Sequence, residues 1–138
     1  MNGLAIPLAV LACCLAGALG GFTLVRPAEA LERLGLGLIG AGRAGLSDVR
    51  SFGGMILLAH GGAAALLGYS PTVGADMALA LSLAWGGAVA GRIVSTLKDG
   101  PGDGRTVQTL VFEVLMSITL ALPFFMARNA LPGPTIPV

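Results

Sequence analysis

Apolar residues gather into four long stretches along this chain, Leu4 to Val25, Val49 to Tyr69, Met77 to Leu97 and Val107 to Ala127. Each holds the roughly 20 predominantly apolar residues that a helix needs to cross the hydrocarbon of a bilayer. Prolines and charges punctuate them. Arg26-Pro27 closes the first run and Ser70-Pro71 the second, with a loop expected from Ser70 to Asp76. The segment from Lys98 to Arg105 separates the third from the fourth, and Pro132, Pro134 and Pro137 forbid helix in the tail. Between the first two runs the pattern changes. From Ala28 to Ile39, Ala30, Leu31, Leu34 and Leu38 fall near one face with Glu29, Glu32 and Arg33 off it, which predicts a short helix lying along the membrane surface. The predicted fold is all-α: a single transmembrane domain over residues 1–138, built as an integral membrane four-helix bundle of antiparallel helices. Pro123 predicts no more than a kink in the last span. The Lys98–Arg105 connector and the Pro132–Val138 tail are expected to be the least ordered parts.

Composition makes the membrane reading hard to avoid. Of the 138 residues, 55% are hydrophobic and 11% charged, against about 25% charged in an ordinary soluble domain. A globule of this size must expose much of its surface, so a mean hydropathy of +0.88 implies that most of that surface meets lipid. The net charge of +1 and the scatter of Lys and Arg exclude a nucleic-acid partner. Cys13 and Cys14 stand side by side within the first apolar run and read as small core residues. No Lys or Arg precedes them and the run continues past them, so the N-terminal stretch is expected to remain a span and not a cleaved signal.

The basic residues between spans set an orientation. Arg26, Arg33 and Arg43 lie between the first two spans, and Lys98 and Arg105 between the last two, whereas Ser70 to Asp76 holds neither Lys nor Arg. The positive-inside rule then predicts a bacterial inner-membrane protein, multi-pass, with these two loops cytoplasmic and both termini periplasmic. Among the 22 glycines, Gly17-x-x-x-Gly21 and Gly87-x-x-x-Gly91 have the spacing of close-packing helix faces, chiefly within the monomer. Tyr69 is expected as an interfacial anchor and Trp85 as a packing residue.

Ionisable residues inside the spans carry the remaining information, because each costs roughly 2.5–3.5 kcal/mol in hydrocarbon unless paired or hydrated. Asp48 and Arg50 open the second span, while Arg92 and Glu113 lie about two turns inside the same ends of the third and fourth. These residues form one layer on the cytoplasmic side and are able to neutralise one another, with Glu113 expected to pair with Arg92. Arg50, Gly53, Gly54, Leu57, His60 and Gly61 share one stripe of the second span, with His60 about 15 Å deeper than Arg50. Thr106, Thr109, Glu113 and Ser117 share another on the fourth, and Ser95 and Trp85 lie near the face of Arg92. The candidate site is therefore Asp48, Arg50, His60, Arg92 and Glu113. A lone membrane histidine more often makes a helix-to-helix hydrogen bond than binds a metal, and no second His or Cys stands at ligand spacing, so neither metal nor cofactor is expected. Gly100-Pro101-Gly102-Asp103-Gly104 lacks the strand-turn-helix setting of a phosphate loop, and no serine has the base and acid of a nucleophile.

Gly45-Leu46-Ser47-Asp48-Val49-Arg50-Ser51-Phe52-Gly53-Gly54, then Gly91-Arg92-Ile93-Val94-Ser95 with Asp99-Gly100, then Glu113, occur in that order. With these elements the chain resembles the small bacterial four-helix membrane family known as domain of unknown function 4345, and more distantly the DoxX-type four-helix proteins. The resemblance implies a four-span inner-membrane protein and supplies no substrate. Two readings follow: a structural or accessory subunit, without chemistry of its own, packing as a homo-oligomer or in a larger membrane complex; or a protein that binds a small molecule or lipid headgroup through the polar layer, as enzyme or carrier.

Overall fold

The computed structural model describes residues 2–33, 43–100, 102 and 104–129. Among these, a 3-10 turn at Asn2–Leu4 is followed by α1 (Ala5–Val25), α2 (Pro27–Arg33), α3 (Arg43–Tyr69), α4 (Pro71–Asp99) and α5 (Gly104–Asn129). The four long helices are each apolar and long enough to cross a membrane. They pack as a bundle in the ring order α1, α3, α4, α5, with α5 closing back on α1. Neighbours run antiparallel: Gly20 meets Gly53, Gly74 meets Leu67 and Ser82 meets Ser117. One end of the bundle therefore collects the ends of α1 and α4, the starts of α3 and α5, and with them Arg26, Arg50, Lys98 and Arg105. We call it the basic end.

The helices reach beyond the apolar stretches. The expected loop from Ser70 to Asp76 shrinks to Ser70, because Pro71 suits the first turn of α4, where a missing N–H removes no helical bond. Ser70 donates its N–H to Leu66 O at 2.7 Å and Gly74 donates to Ser70 O at 2.9 Å, so the reversal keeps its backbone paired. At the other end of α4, Gly100 takes a φ of 100°, a left-handed value that suits glycine at a helix stop. Of the predicted surface helix, Pro27–Arg33 is helical, and Leu34 to Ile39 lie outside the described residues. Ala30 and Leu31 are buried and the Arg33 guanidinium carbon stands 4.7 Å from the Phe22 ring centre, so α2 folds back on α1. The Pro132–Val138 tail, and Pro101 and Asp103 of the connector, also lie outside the described residues.

Size is sorted inside out. On α1 the buried stripe is Ala5, Ala9, Ala12, Cys13, Ala16, Gly17 and Gly20, while Leu4, Leu8, Leu11, Leu15 and Leu19 are exposed on the opposite face. Ala63 and Ala78 continue the small interior, filled out by Leu67, Met116 and Leu120, and Ala75 is buried as well. Lipid tails are as apolar as leucine, so nothing drives large side chains inward; helices associate where small residues let backbones touch. On α1 the expected Gly17 and Gly21 do face α3, and the tightest approach falls between them at Gly20. α1 and α3 come closest at Gly20 and Gly53, where an added Cβ on either would stand 2.7 Å from the other's carbonyl oxygen. A Cβ added on Gly17 or Gly21 would stand at an ordinary contact distance of 3.8 to 4.0 Å from Leu57. Gly87 and Gly91 are exposed with nothing within 4 Å of an added Cβ, so among the described residues that motif packs against no neighbouring helix.

Candidate functional site

Polar side chains line the seam where α3, α4 and α5 meet, at three successive levels. Deepest is a reciprocal clasp: Ser82 donates its hydroxyl to Ser117 O at 2.7 Å and Ser117 donates its hydroxyl to Ser82 O at 3.0 Å. Each hydroxyl reaches the opposite backbone, which satisfies the hydroxyls without water. About one turn toward the basic end, Trp85 Nε1 donates to His60 Nε2 at 3.1 Å, and His60 Nδ1 lies 2.9 Å from Ile56 O. Only the neutral tautomer protonated on Nδ1 serves both contacts, since Nε2 must accept. Trp85 also meets Phe112 edge to face, ring centres 5.5 Å apart. His60 is thus a bridge from α3 to α4.

Next along the seam, Arg92 on α4 donates from Nε to Glu113 Oε2 on α5 at 2.7 Å. This is the pairing that their equal depth predicts. It is a one-point contact, and the two partners differ in burial: the Glu113 side chain is 7% exposed and the Arg92 side chain 33%. The exposed part borders a cavity of about 350 Å³ between α4 and α5 at the basic end, walled by Gly91, Arg92, Ser95, Thr96, Thr106 and Glu113. Gly91, Ser95, Thr96 and Gly102 are exposed around it, so the cavity is open to the outside. Ser95 donates to Asp99 Oδ2 at 2.8 Å and Thr96 to Arg92 O at 2.9 Å, leaving their hydroxyl oxygens with acceptor capacity.

Of the five candidate residues, Arg92 and Glu113 come together, and His60 lies deeper on the same seam, bonded to Trp85. Asp48 and Arg50 are exposed at the start of α3, and among the described residues no ion pair joins either to Arg92 or Glu113. The stripe drawn through Arg50 and His60 divides: Gly53 and Leu57 face α1, His60 faces Trp85, and Gly61 has open space beside it. A helix can turn successive residues of one broad stripe toward different neighbours, which periodicity alone does not show. Thr109 turns its hydroxyl back to Arg105 O at 3.0 Å. The residues that sequence reasoning passed over are Ser82, whose only signal was its spacing from Trp85, and Thr96, whose hydroxyl lies one position beyond the expected face. Among the described residues no group of three or more His, Cys, Asp or Glu is placed to hold a metal ion.

Comparison of the chain with protein families, characterised proteins and solved structures gives no match. The resemblance to domain of unknown function 4345 and to DoxX-type proteins gains no support there, and what stands is the coarser statement of a multi-pass membrane protein with four candidate membrane-spanning helices among the described residues.

Proposed function

We propose that this multi-pass membrane protein binds a small polar molecule or a lipid headgroup in the cavity between α4 and α5, with the Arg92–Glu113 pair as its recognition element. One observation carries the reading: the ion pair forms part of the wall of an open cavity and is not sealed between helices. With Arg92 a third exposed at the cavity, the pair avoids part of the desolvation that full burial of both charges costs, and the guanidinium keeps donors that water or a ligand can reach. By the positive-inside rule the basic end faces the cytoplasm, which in a bacterium places both termini in the periplasm and the cavity mouth toward the cytosol. Asp48 and Arg50 then belong to the outer rim of the same layer.

The test is thermal unfolding of the purified protein in non-ionic detergent against a panel of small anions, cations, zwitterions and lipids, with wild type compared with Arg92→Gln. Stabilisation by a panel member that vanishes in the variant supports binding; equal response of both proteins to every compound refutes it.

A second reading, that of a structural or accessory subunit, is favoured by the outward glycines. Gly61 and Gly68 on α3 and Gly87 and Gly91 on α4 are exposed with open space beside them, the kind of surface on which another helix packs closely. Cysteine cross-linking from Gly87 in native membranes checks it: a specific cross-linked product supports lateral packing, and its absence at every position along that face counts against it.

A further inference from the structure

From the charge balance of the cavity we infer that its ligand is a zwitterionic phosphoamine group, a phosphate ester carrying a primary ammonium, as in an ethanolamine headgroup or its free counterpart. The inference rests on the binding reading above. Among the described residues that wall the cavity, Arg92 and Glu113 are the ionic ones, and the rest are alanine, glycine, serine and threonine. One positive and one negative charge 2.7 Å apart largely cancel at a distance. The charges beside the cavity, Asp99 bonded to Ser95 with Lys98 and Arg105 close in the chain to its walls, are again of both signs, so neither a simple anion nor a simple cation meets a field of one sign. A ligand of one sign that engages one member of the pair also draws it from the other and leaves that partner less compensated. A molecule with both signs meets neither obstacle.

The geometry of the pair agrees. Arg92 commits Nε to Glu113 Oε2, so the terminal amino groups of the guanidinium are the donors suited to a phosphate, in the two-point manner that arginine favours. Glu113 keeps Oε1 as the acceptor suited to an ammonium. The ligand's two charges would each face the opposite member of the pair, closing a four-charge ring with alternating signs. Ser95 and Thr96, whose hydroxyls donate to Asp99 and to the Arg92 carbonyl, can accept further ammonium hydrogens through their oxygens. A volume of about 350 Å³ stands near the lower bound of the roughly 300–1,000 Å³ of ligand pockets, which suits a headgroup and not a nucleotide. Arg92 lies about 10 Å along α4 from its end at Asp99, shallow enough for a headgroup drawn slightly inward or for a soluble molecule entering from the mouth.

The experiment is native mass spectrometry of the full chain in non-ionic detergent with equimolar phosphatidylethanolamine, phosphatidylcholine and phosphatidylglycerol, followed by competition with free phosphoethanolamine and with inorganic phosphate. The expected result is retention of phosphatidylethanolamine about tenfold over phosphatidylglycerol, with phosphatidylcholine weaker because its quaternary ammonium has no N–H. In Glu113→Gln the preference should reverse toward phosphatidylglycerol, since Arg92 is then uncompensated. Displacement by free phosphoethanolamine at comparable concentration assigns the group to a soluble molecule, and resistance to it assigns the group to a lipid; both agree with the inference. Preference for phosphatidylglycerol or inorganic phosphate in wild type, lost in Arg92→Gln, overturns the zwitterion while leaving the binding reading intact. Retention of no probe in an Arg92-dependent manner overturns both. Wild-type selectivity decides the first point without any variant, and Ser95→Ala and Thr96→Ala, exposed substitutions at the mouth, replace Glu113→Gln if that chain does not fold: each should weaken phosphatidylethanolamine retention at least twofold, and no change in either overturns the assignment.

Discussion

A Cβ placed on Gly20 would stand 2.7 Å from the Gly53 carbonyl oxygen, and one placed on Gly53 would stand 2.7 Å from that of Gly20. The contact is backbone against backbone, so no side chain can rotate away to make room. Gly20→Ala or Gly53→Ala should therefore push α1 from α3 and cost about 1–3 kcal/mol, the usual range for overpacking. Gly87→Ala, with open space beside it, should stay within about 0.5 kcal/mol. Unfolding in mixed micelles with increasing dodecyl sulfate measures both, and equal sensitivity at Gly20 and Gly87 would contradict the packing described.

The uneven burial of Arg92 and Glu113 predicts uneven losses. Glu113→Leu leaves an arginine that is already a third exposed and can reach toward water along its stem. Arg92→Leu leaves a carboxylate that is 7% exposed on a short side chain. The loss of Arg92 should approach the about 3–5 kcal/mol of a broken buried pair, the loss of Glu113 should be clearly smaller, and the double replacement should cost less than the sum. Additive losses in the same unfolding assay would mean that the two side chains do not interact.

Trp85 is the one tryptophan of the chain, so its fluorescence reports directly on the His60 contact. His60→Leu removes the acceptor 3.1 Å from Nε1 and should move emission to shorter wavelength, because the excited indole loses a polar partner. The stability cost should be near the roughly 0.6 kcal/mol average for interhelical hydrogen bonds in membranes, up to about 1.7. Unchanged emission would remove the bridge.

The serine clasp should behave as one unit. With Ser82 and Ser117 each donating to the other's carbonyl, either alanine substitution leaves the second bond in place and should cost under about 1 kcal/mol. The double substitution removes no packing volume that matters and should cost at most about 2 kcal/mol. A loss beyond that would point to helix separation instead of two lost bonds.

The orientation of the chain is open to a direct check as well. Reporter fusions at Thr72, in the first turn of α4, and at Asn2 should read as periplasmic, and a fusion at Lys98 as cytoplasmic. Cytoplasmic activity at Thr72 would invert the assignment.

The sequence by itself determined that this chain forms four apolar helices in a bundle, which of their ends lie together, and that Arg92 and Glu113 share a level. Those properties are local. In hydrocarbon every backbone N–H and C=O must be satisfied within its own segment, so length and apolarity alone dictate a helix, and a rise of about 1.5 Å per residue converts position into depth. The tertiary structure decided how each helix is rotated about its axis. That choice made Gly20 the point of closest approach while Gly17 and Gly21 border Leu57, turned Gly87 and Gly91 outward, joined His60 to Trp85, and left Asp48 and Arg50 exposed. In water the rotation of a helix is written in its pattern, because the apolar side goes in. Between lipid and a protein interior of equal apolarity that signal is absent, and rotation is settled by which small residues let neighbouring backbones meet, a property of pairs of helices that no single stretch of sequence contains.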